Sequence, residues 1–210
     1  MTGGLRRFAR PATEIPRPAT PERCRLCGTP VDARHGHVVD REQRMLACTC
    51  RACYLLFTAD GAGGGRYRSV PDRVLHDPAH PLSAVDWESL RIPVGLAFFF
   101  VNSTVDRVVA SYPSPAGATE CELDLTAWDS LAKTYPLLRE PEPDVEGILV
   151  HRDGERFDVH LIPIDLCYAL VGEVRARWRG LDGGEEVRQS MARLLADLRH
   201  RSQPAPSPSI

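Results

Sequence analysis

The sequence predicts an α+β protein in two parts: a small cysteine-bearing module, then one antiparallel sheet with helices packed on one face. Three observations predict it. Five of the seven cysteines fall between Cys24 and Cys53. Further on, apolar runs of strand length pair up around short polar turns, as hairpins do. Between and after these pairs, apolar residues recur at i, i+3, i+4 and i+7, the period of an amphipathic helix. At 210 residues the chain has room for one substantial core plus a small satellite.

Residues 1–22 are rich in Pro, Arg, Ala and Thr without periodicity and read as a disordered tail. Residues 23–58 read as the module. Cys24-Arg25-Leu26-Cys27-Gly28 is a knuckle in which glycine permits a tight turn that aims amides at the sulfurs. His37-Val38-Val39 and Met45-Leu46-Ala47 read as short strands joined by the charged turn Asp40 to Arg44, and Cys50 to Cys53 is the second knuckle. Tyr54 to Phe57 are expected to dock the module on its neighbour. Residues 59–69, with Gly61, Gly63, Gly64 and Gly65, read as a linker or tight turn; they lack the Lys-Ser/Thr of a phosphate loop.

Residues 70–200 read as the α+β domain, in the order helix-hairpin, helix-hairpin, helix-helix. Ser83 to Leu90 predicts a short helix with Trp87 and Leu90 on one face. Val94 to Asn102 and Val105 to Tyr112 predict a hairpin around Ser103-Thr104. Thr126 to Tyr135 carries Trp128, Leu131, Ala132 and Tyr135 at helical spacing. Val145 to His151 and Phe157 to Ile162 predict a hairpin around Asp153-Gly154. Asp165 is positioned to cap a helix running to about Trp178, and Asp182 to cap a last helix with the stripe Val187, Met191, Leu194, Leu195 and Leu198. Trp87-Glu88-Ser89-Leu90 and Trp128-Asp129-Ser130-Leu131 occupy matching places and read as an internal repeat. Residues 201–210 read as a second disordered tail.

The chemistry concentrates in the module. Cys24-x2-Cys27 and Cys50-x2-Cys53 are two thiol pairs at the spacing of a tetrahedral metal site, which makes the module zinc-ribbon-like. A unit this small cannot hold itself together by apolar burial, so a metal staple is physically needed. The expected ligands are Cys24, Cys27, Cys50 and Cys53. Cys48 competes with Cys50, since in a strand the two point to the same side. Cys48, His35 and His37 are further candidate donors for an exchangeable site. Zinc is the expected ion; iron in the same four-thiolate set, as in rubredoxin, is the alternative, because spacing does not separate the two.

Other features exclude more than they assign. No apolar run reaches the ~18 residues of a bilayer span, and no apolar segment follows Arg6, Arg7 and Arg10 as a secretory leader requires. A reducing cytoplasm is therefore the expected location, where clustered cysteines hold metals rather than form disulfides. Residues 1–73 hold 13 Arg against 7 acidic residues, a formal +6, while residues 74–210 come to −8. The basic half could attract an acidic partner or a nucleic acid; the acidic second part and the scarcity of aromatics among the arginines oppose nucleic acid. Cys121 and Cys167 read as small buried hydrophobes, and His151 and His160 as ordinary strand residues. Tyr112 to Glu120 reads as a stiff loop of small residues without a catalytic triad. No protease, phosphate-loop or dinucleotide motif is present, so the protein is read as non-catalytic.

With those residues in view, the chain resembles a bacterial family encoded near [NiFe]-hydrogenase gene clusters. The likeness rests on Cys24 to Gly28, Cys48 to Cys53, Gly63 to Arg68, Ile92 to Phe100, Tyr112 to Glu120, Tyr168 to Gly172 and Arg177 to Gly180, and covers about residues 5–200. The family carries no assigned activity. The resemblance implies an accessory role beside a hydrogenase (assembly, metal handling or electron transfer) and, as partner, a hydrogenase subunit or maturation factor.

Overall fold

In the computed structural model, residues 21–180 and 183–206 are described. Most of the N-terminal tail, Asp182 as a helix cap, and residues 207–210 lie outside them. The described residues form a mixed α+β structure with two sheets and five α-helices.

The first sheet belongs to the cysteine module. Strands β1 (Gly36–Asp40) and β2 (Met45–Thr49) pair antiparallel. The Asp40 carboxylate accepts from the Gln43 amide at 3.0 Å and stabilises their turn. Helix α1 (Arg51–Leu55) follows directly. Strand β3 (Tyr67–Ser69), inside the segment read as linker, then adds to the other edge of β1. Its pairing rescues the β1 edge, which a two-stranded ribbon would leave exposed. Gly61, Gly63, Gly64 and Gly65 all have positive φ and bring the chain back to β1 in a tight turn.

The second sheet has seven strands in the order β10-β4-β9-β8-β5-β6-β7. These are β4 (Leu75–His76), β5 (Leu96–Asn102), β6 (Arg107–Ser114), β7 (Gly117–Cys121), β8 (Glu146–Asp153), β9 (Arg156–Pro163) and β10 (Gln203–Pro204). All neighbours are antiparallel except the short β10–β4 pair. The two expected hairpins, β5–β6 and β8–β9, meet through β5 and β8 at the centre. Two expectations change. The Tyr112 to Glu120 segment is a hairpin, with Ser114 opposite Gly117, rather than a loop. Gln203 and Pro204, inside the segment read as a tail, form β10.

Helices cover both faces of this sheet, not one. On one face lie α2 (Ala84–Ser89) and α3 (Leu125–Thr134), whose Trp87, Leu90, Trp128 and Leu131 pack on Ala97, Phe99, Ile148 and Val150. Phe99 meets both tryptophans of the repeated motif: it stacks on Trp128 at 4.8 Å and takes Trp87 edge-on at 6.3 Å. On the other face lie α4 (Ile164–Arg177) and α5 (Gly184–Arg201), where Cys167, Leu170, Val171, Leu195 and Leu198 pack on Phe98, Leu149 and Ile162. The reason is visible in the central strands. Residues 97–101 and 148–150 are apolar at every position, so both faces must be buried.

The module joins this second core. Val39 of β1 and Val70 just after β3 are buried with the α4 and α5 side chains. Leu55 and Leu56, expected to dock the module, are instead exposed. Charge completes the contact: Arg41 pairs with Asp144, Arg68 with Glu142, and Arg73 with Glu146. Part of the basic excess of the N-terminal half is thus met by the acidic half of the same chain.

Candidate metal centre

Two local turns build the centre. Arg23 and Pro30 form an isolated bridge that closes the first knuckle. Within it, the Gly28 amide donates to the Cys24 carbonyl at 2.9 Å, and Gly28 takes φ +78°, a conformation that glycine adopts freely. The Arg25 amide donates to the Cys48 carbonyl and ties this knuckle to β2. In the second knuckle, Cys50 is the N-cap of α1 and Cys53 lies on its first turn. The Tyr54 amide donates to the Cys50 carbonyl at 2.9 Å, so one helical turn sets the two sulfurs side by side.

The sulfurs of Cys24, Cys27, Cys50 and Cys53 lie within 4.8 Å of one another, and those of Cys27 and Cys50 are 3.7 Å apart. Four sulfurs around a tetrahedral zinc stand about 3.8 Å apart, given Zn–S bonds of about 2.3 Å. The donor set therefore fits a four-thiolate ion, zinc or iron. Cys24 and Cys53 are buried, Cys50 half-buried and Cys27 exposed.

Electrostatics divides the thiols. Burial pushes Cys24 up, but backbone amides of Cys50, Cys27 and Leu26 outweigh it and bring the thiol down to about 6. Cys27 is lowered by the Thr29 hydroxyl and amide. Cys53 is pushed up to about 12, first by burial and then by the three neighbouring sulfurs. Four thiolates this close repel one another, and a divalent cation is what offsets that repulsion.

Cys48, the fifth thiol, lies outside this quartet. Cys50 starts a helix, so the chain turns away from the strand direction that would have kept Cys48 and Cys50 together. Cys48 groups instead with His35 and His37. Their surroundings include Asp165, which the sequence marks as a helix cap. It lies inside the first turn of α4, whose N-cap is Pro163, and its Oδ2 binds His37 Nδ1 at 2.8 Å. These residues are 128 positions apart, and no local pattern announces the contact. A cleft of about 1000 Å³ opens here between the module and α4–α5, lined by His35, His37, Arg51, Asp72, Asp165 and Arg201.

The remaining candidates are dispersed. Cys167 is fully buried under β8 and its thiol is raised by that burial. Cys121 is half-buried on β7. His160 is buried, and Ser202 Oγ stands 3.1 Å from both its Nδ1 and that of His76. His151 stands 3.5 Å from Asp158.

Fold and site together define a class: a four-cysteine metal-type module docked on a seven-stranded sheet with helices on both faces. The chain belongs to the family described as "Family of unknown function (DUF5947)", which matches residues 23–202. No curated protein matches the chain, and no solved structure does. Among the described residues, no helix is long and apolar enough to cross a membrane.

Proposed function

We propose that this protein is a non-catalytic, metal-binding accessory protein of a reducing cytoplasm, in which Cys24, Cys27, Cys50 and Cys53 hold one structural zinc ion. The observation that carries this reading is the convergence of four sulfurs within 4.8 Å from two separate knuckles. When bound, zinc supplies a cross-link and no redox chemistry. The residues around it do the rest. Amides hold Cys24 as a thiolate donor, and Val39, Val70 and the Arg41, Arg68 and Arg73 ion pairs transmit the ordered module to the sheet.

The α+β domain and the module then present a surface to a protein partner. Leu26, Leu55 and Leu56 support this part: they are exposed and apolar, and all three belong to the two knuckles or the turn that follows. The resemblance described above makes a [NiFe]-hydrogenase subunit or maturation factor the partner of this proposal.

Two measurements test it. Protein purified anaerobically from its own host should be colourless and carry zinc that Cys50→Ser loses; a red protein whose visible absorption bleaches on reduction would instead be a four-thiolate iron carrier. Capture from the same host under reducing conditions should recover a hydrogenase-related protein, and Leu55→Asp with Leu56→Asp should abolish it. Recovery of none sinks the partner assignment.

A further inference from the structure

Three donors outside the four-cysteine cluster converge: His35 and His37, which line the cleft, and Cys48, with ligand atoms within 4.8 Å of one another. The strand pairing does this. His37 on β1 lies opposite Cys48 on β2, and His35, two residues earlier, shares the side of His37, their rings 4.9 Å apart.

Both rings are held in the manner of metal ligands. His35 Nδ1 donates to the Asp32 carbonyl at 2.7 Å, and His37 Nδ1 donates to the Asp165 carboxylate at 2.8 Å. A carbonyl or carboxylate can only accept, so each ring carries its proton on Nδ1. The lone pair is left on Nε2, the arrangement that positions and strengthens a histidine ligand. His35 Nε2 is buried without any hydrogen-bond partner, on a side chain only 9% exposed. A buried acceptor left unpaired is unfavourable unless something else binds it. The Glu22 carboxylate completes the group: Oε2 is 3.9 Å from His35 Nε2, and Oε1 is 3.7 Å from Cys48 Sγ.

We propose that His35, His37, Cys48 and Glu22 form a second metal site, for a divalent ion of the zinc class, separate from the four-cysteine staple. Two imidazoles and one thiolate suit zinc or its spectroscopic substitute cobalt and disfavour magnesium or calcium. On binding, the Cys48 proton leaves to solvent, and the two Nε2 lone pairs need no deprotonation. Glu22 is 62% exposed, so the fourth donor is the mobile one. Its departure leaves an open coordination position, as in sites that exchange ligands rather than in closed structural ones. No donor is shared with the staple, so the site stands or falls independently of the proposed function.

The test is equilibrium dialysis of the full-length reduced protein against Zn²⁺, with metal counted per chain, for the wild type and for Cys48→Ser, His35→Gln and Cys50→Ser. Two equivalents are expected in the wild type, and the second should leave first when a chelator competes. Cys48→Ser and His35→Gln should each lose that labile equivalent and keep the tight one, while Cys50→Ser loses the tight one. His35→Gln leaves the strands and all thiols intact, so it decides the matter even if Cys48→Ser folds poorly. An independent readout is the ¹⁵N shift of His35 Nε2 when zinc is added. A single equivalent that Cys50→Ser loses and His35→Gln keeps, or a labile equivalent untouched by His35→Gln, overturns the proposal. A labile equivalent that depends on His35 while Cys50→Ser loses nothing would uphold it and refute the staple.

Discussion

Replacing Arg73 with methionine isolates the cost of one buried charge. Glu146 at the start of β8 is 0% exposed and accepts three hydrogen bonds: from Arg73 Nε at 2.6 Å, from Arg73 Nη2 at 2.8 Å and from the Glu142 amide at 2.9 Å. Arg73→Met removes both charge-assisted bonds and leaves the carboxylate with one amide. Each such bond contributes roughly 1.5–3 kcal/mol. The Arg73 side chain is 42% exposed, so water entering its place recovers part of the loss, and a net cost of about 2–4 kcal/mol is expected. For a chain of this size that lowers Tm by about 5–15 °C. The assay is urea and thermal unfolding at neutral pH of wild type, R73M, E146Q and the double variant. On the E146Q background no charge is stranded, so losing Arg73 should cost at most about 1 kcal/mol. The reasoning is refuted if R73M costs no more than the ~0.5 kcal/mol of an ordinary surface change, or if it costs the same with glutamine at 146.

Three further outcomes are expected. His160 is held down to about 4, chiefly by burial. The unfolded chain therefore binds the proton more readily, and stability that is full above about pH 6.5 should decline by up to about 3 kcal/mol as pH falls toward 4; denaturant unfolding at pH 7 and pH 5 checks this, with His160→Gln flattening the difference. Gly147→Ala would place a Cβ 2.9 Å from the Phe99 carbonyl at the β5–β8 centre, so the variant should be markedly less stable in urea, and an unchanged midpoint would contradict the tight register. Chelation under reducing conditions should strip hydrogen-exchange protection from β1, β2 and β3 while the strands β5, β6, β8 and β9 keep theirs, because those four are buried between two helical layers.

The docking of the module gives its metal state a route into the rest of the molecule. His37 and Asp165, Arg41 and Asp144, and Arg68 and Glu142 each join a module residue to the α4 or β8 region. A disordered module would strand the acidic members of these pairs and withdraw Val39 and Val70 from the core they share with the α4 and α5 side chains. Metal occupancy and the integrity of one face of the large sheet are therefore coupled through named contacts.

Much of this molecule is written locally. The two Cys-x2-Cys knuckles follow from spacing, because a tight turn or a single helical turn suffices to bring paired thiols together. The Ser83 cap with Asp86, the turn at Gly154 and the period of α3 are likewise local, each settled within a few residues. The apolar runs at residues 97–101 and 148–150 even carry the mark of double burial, a signal that the one-face expectation passes over.

Only the tertiary structure decided what those faces meet. Periodicity records that a side chain is turned inward, not which distant residue stands opposite. Hence the sequence is silent on the β5–β8 junction, on the return of β10 to β4, and on the placement of α4 and α5 beneath the module. It names Cys48, His35 and His37 as donors, but their separation from the four-cysteine cluster depends on Cys50 ending β2 and starting α1. Asp165 and Glu22 reach them from 128 and 13 residues away from His37 and His35. A local pattern can place a ligand on an element; the packing of elements assembles the site.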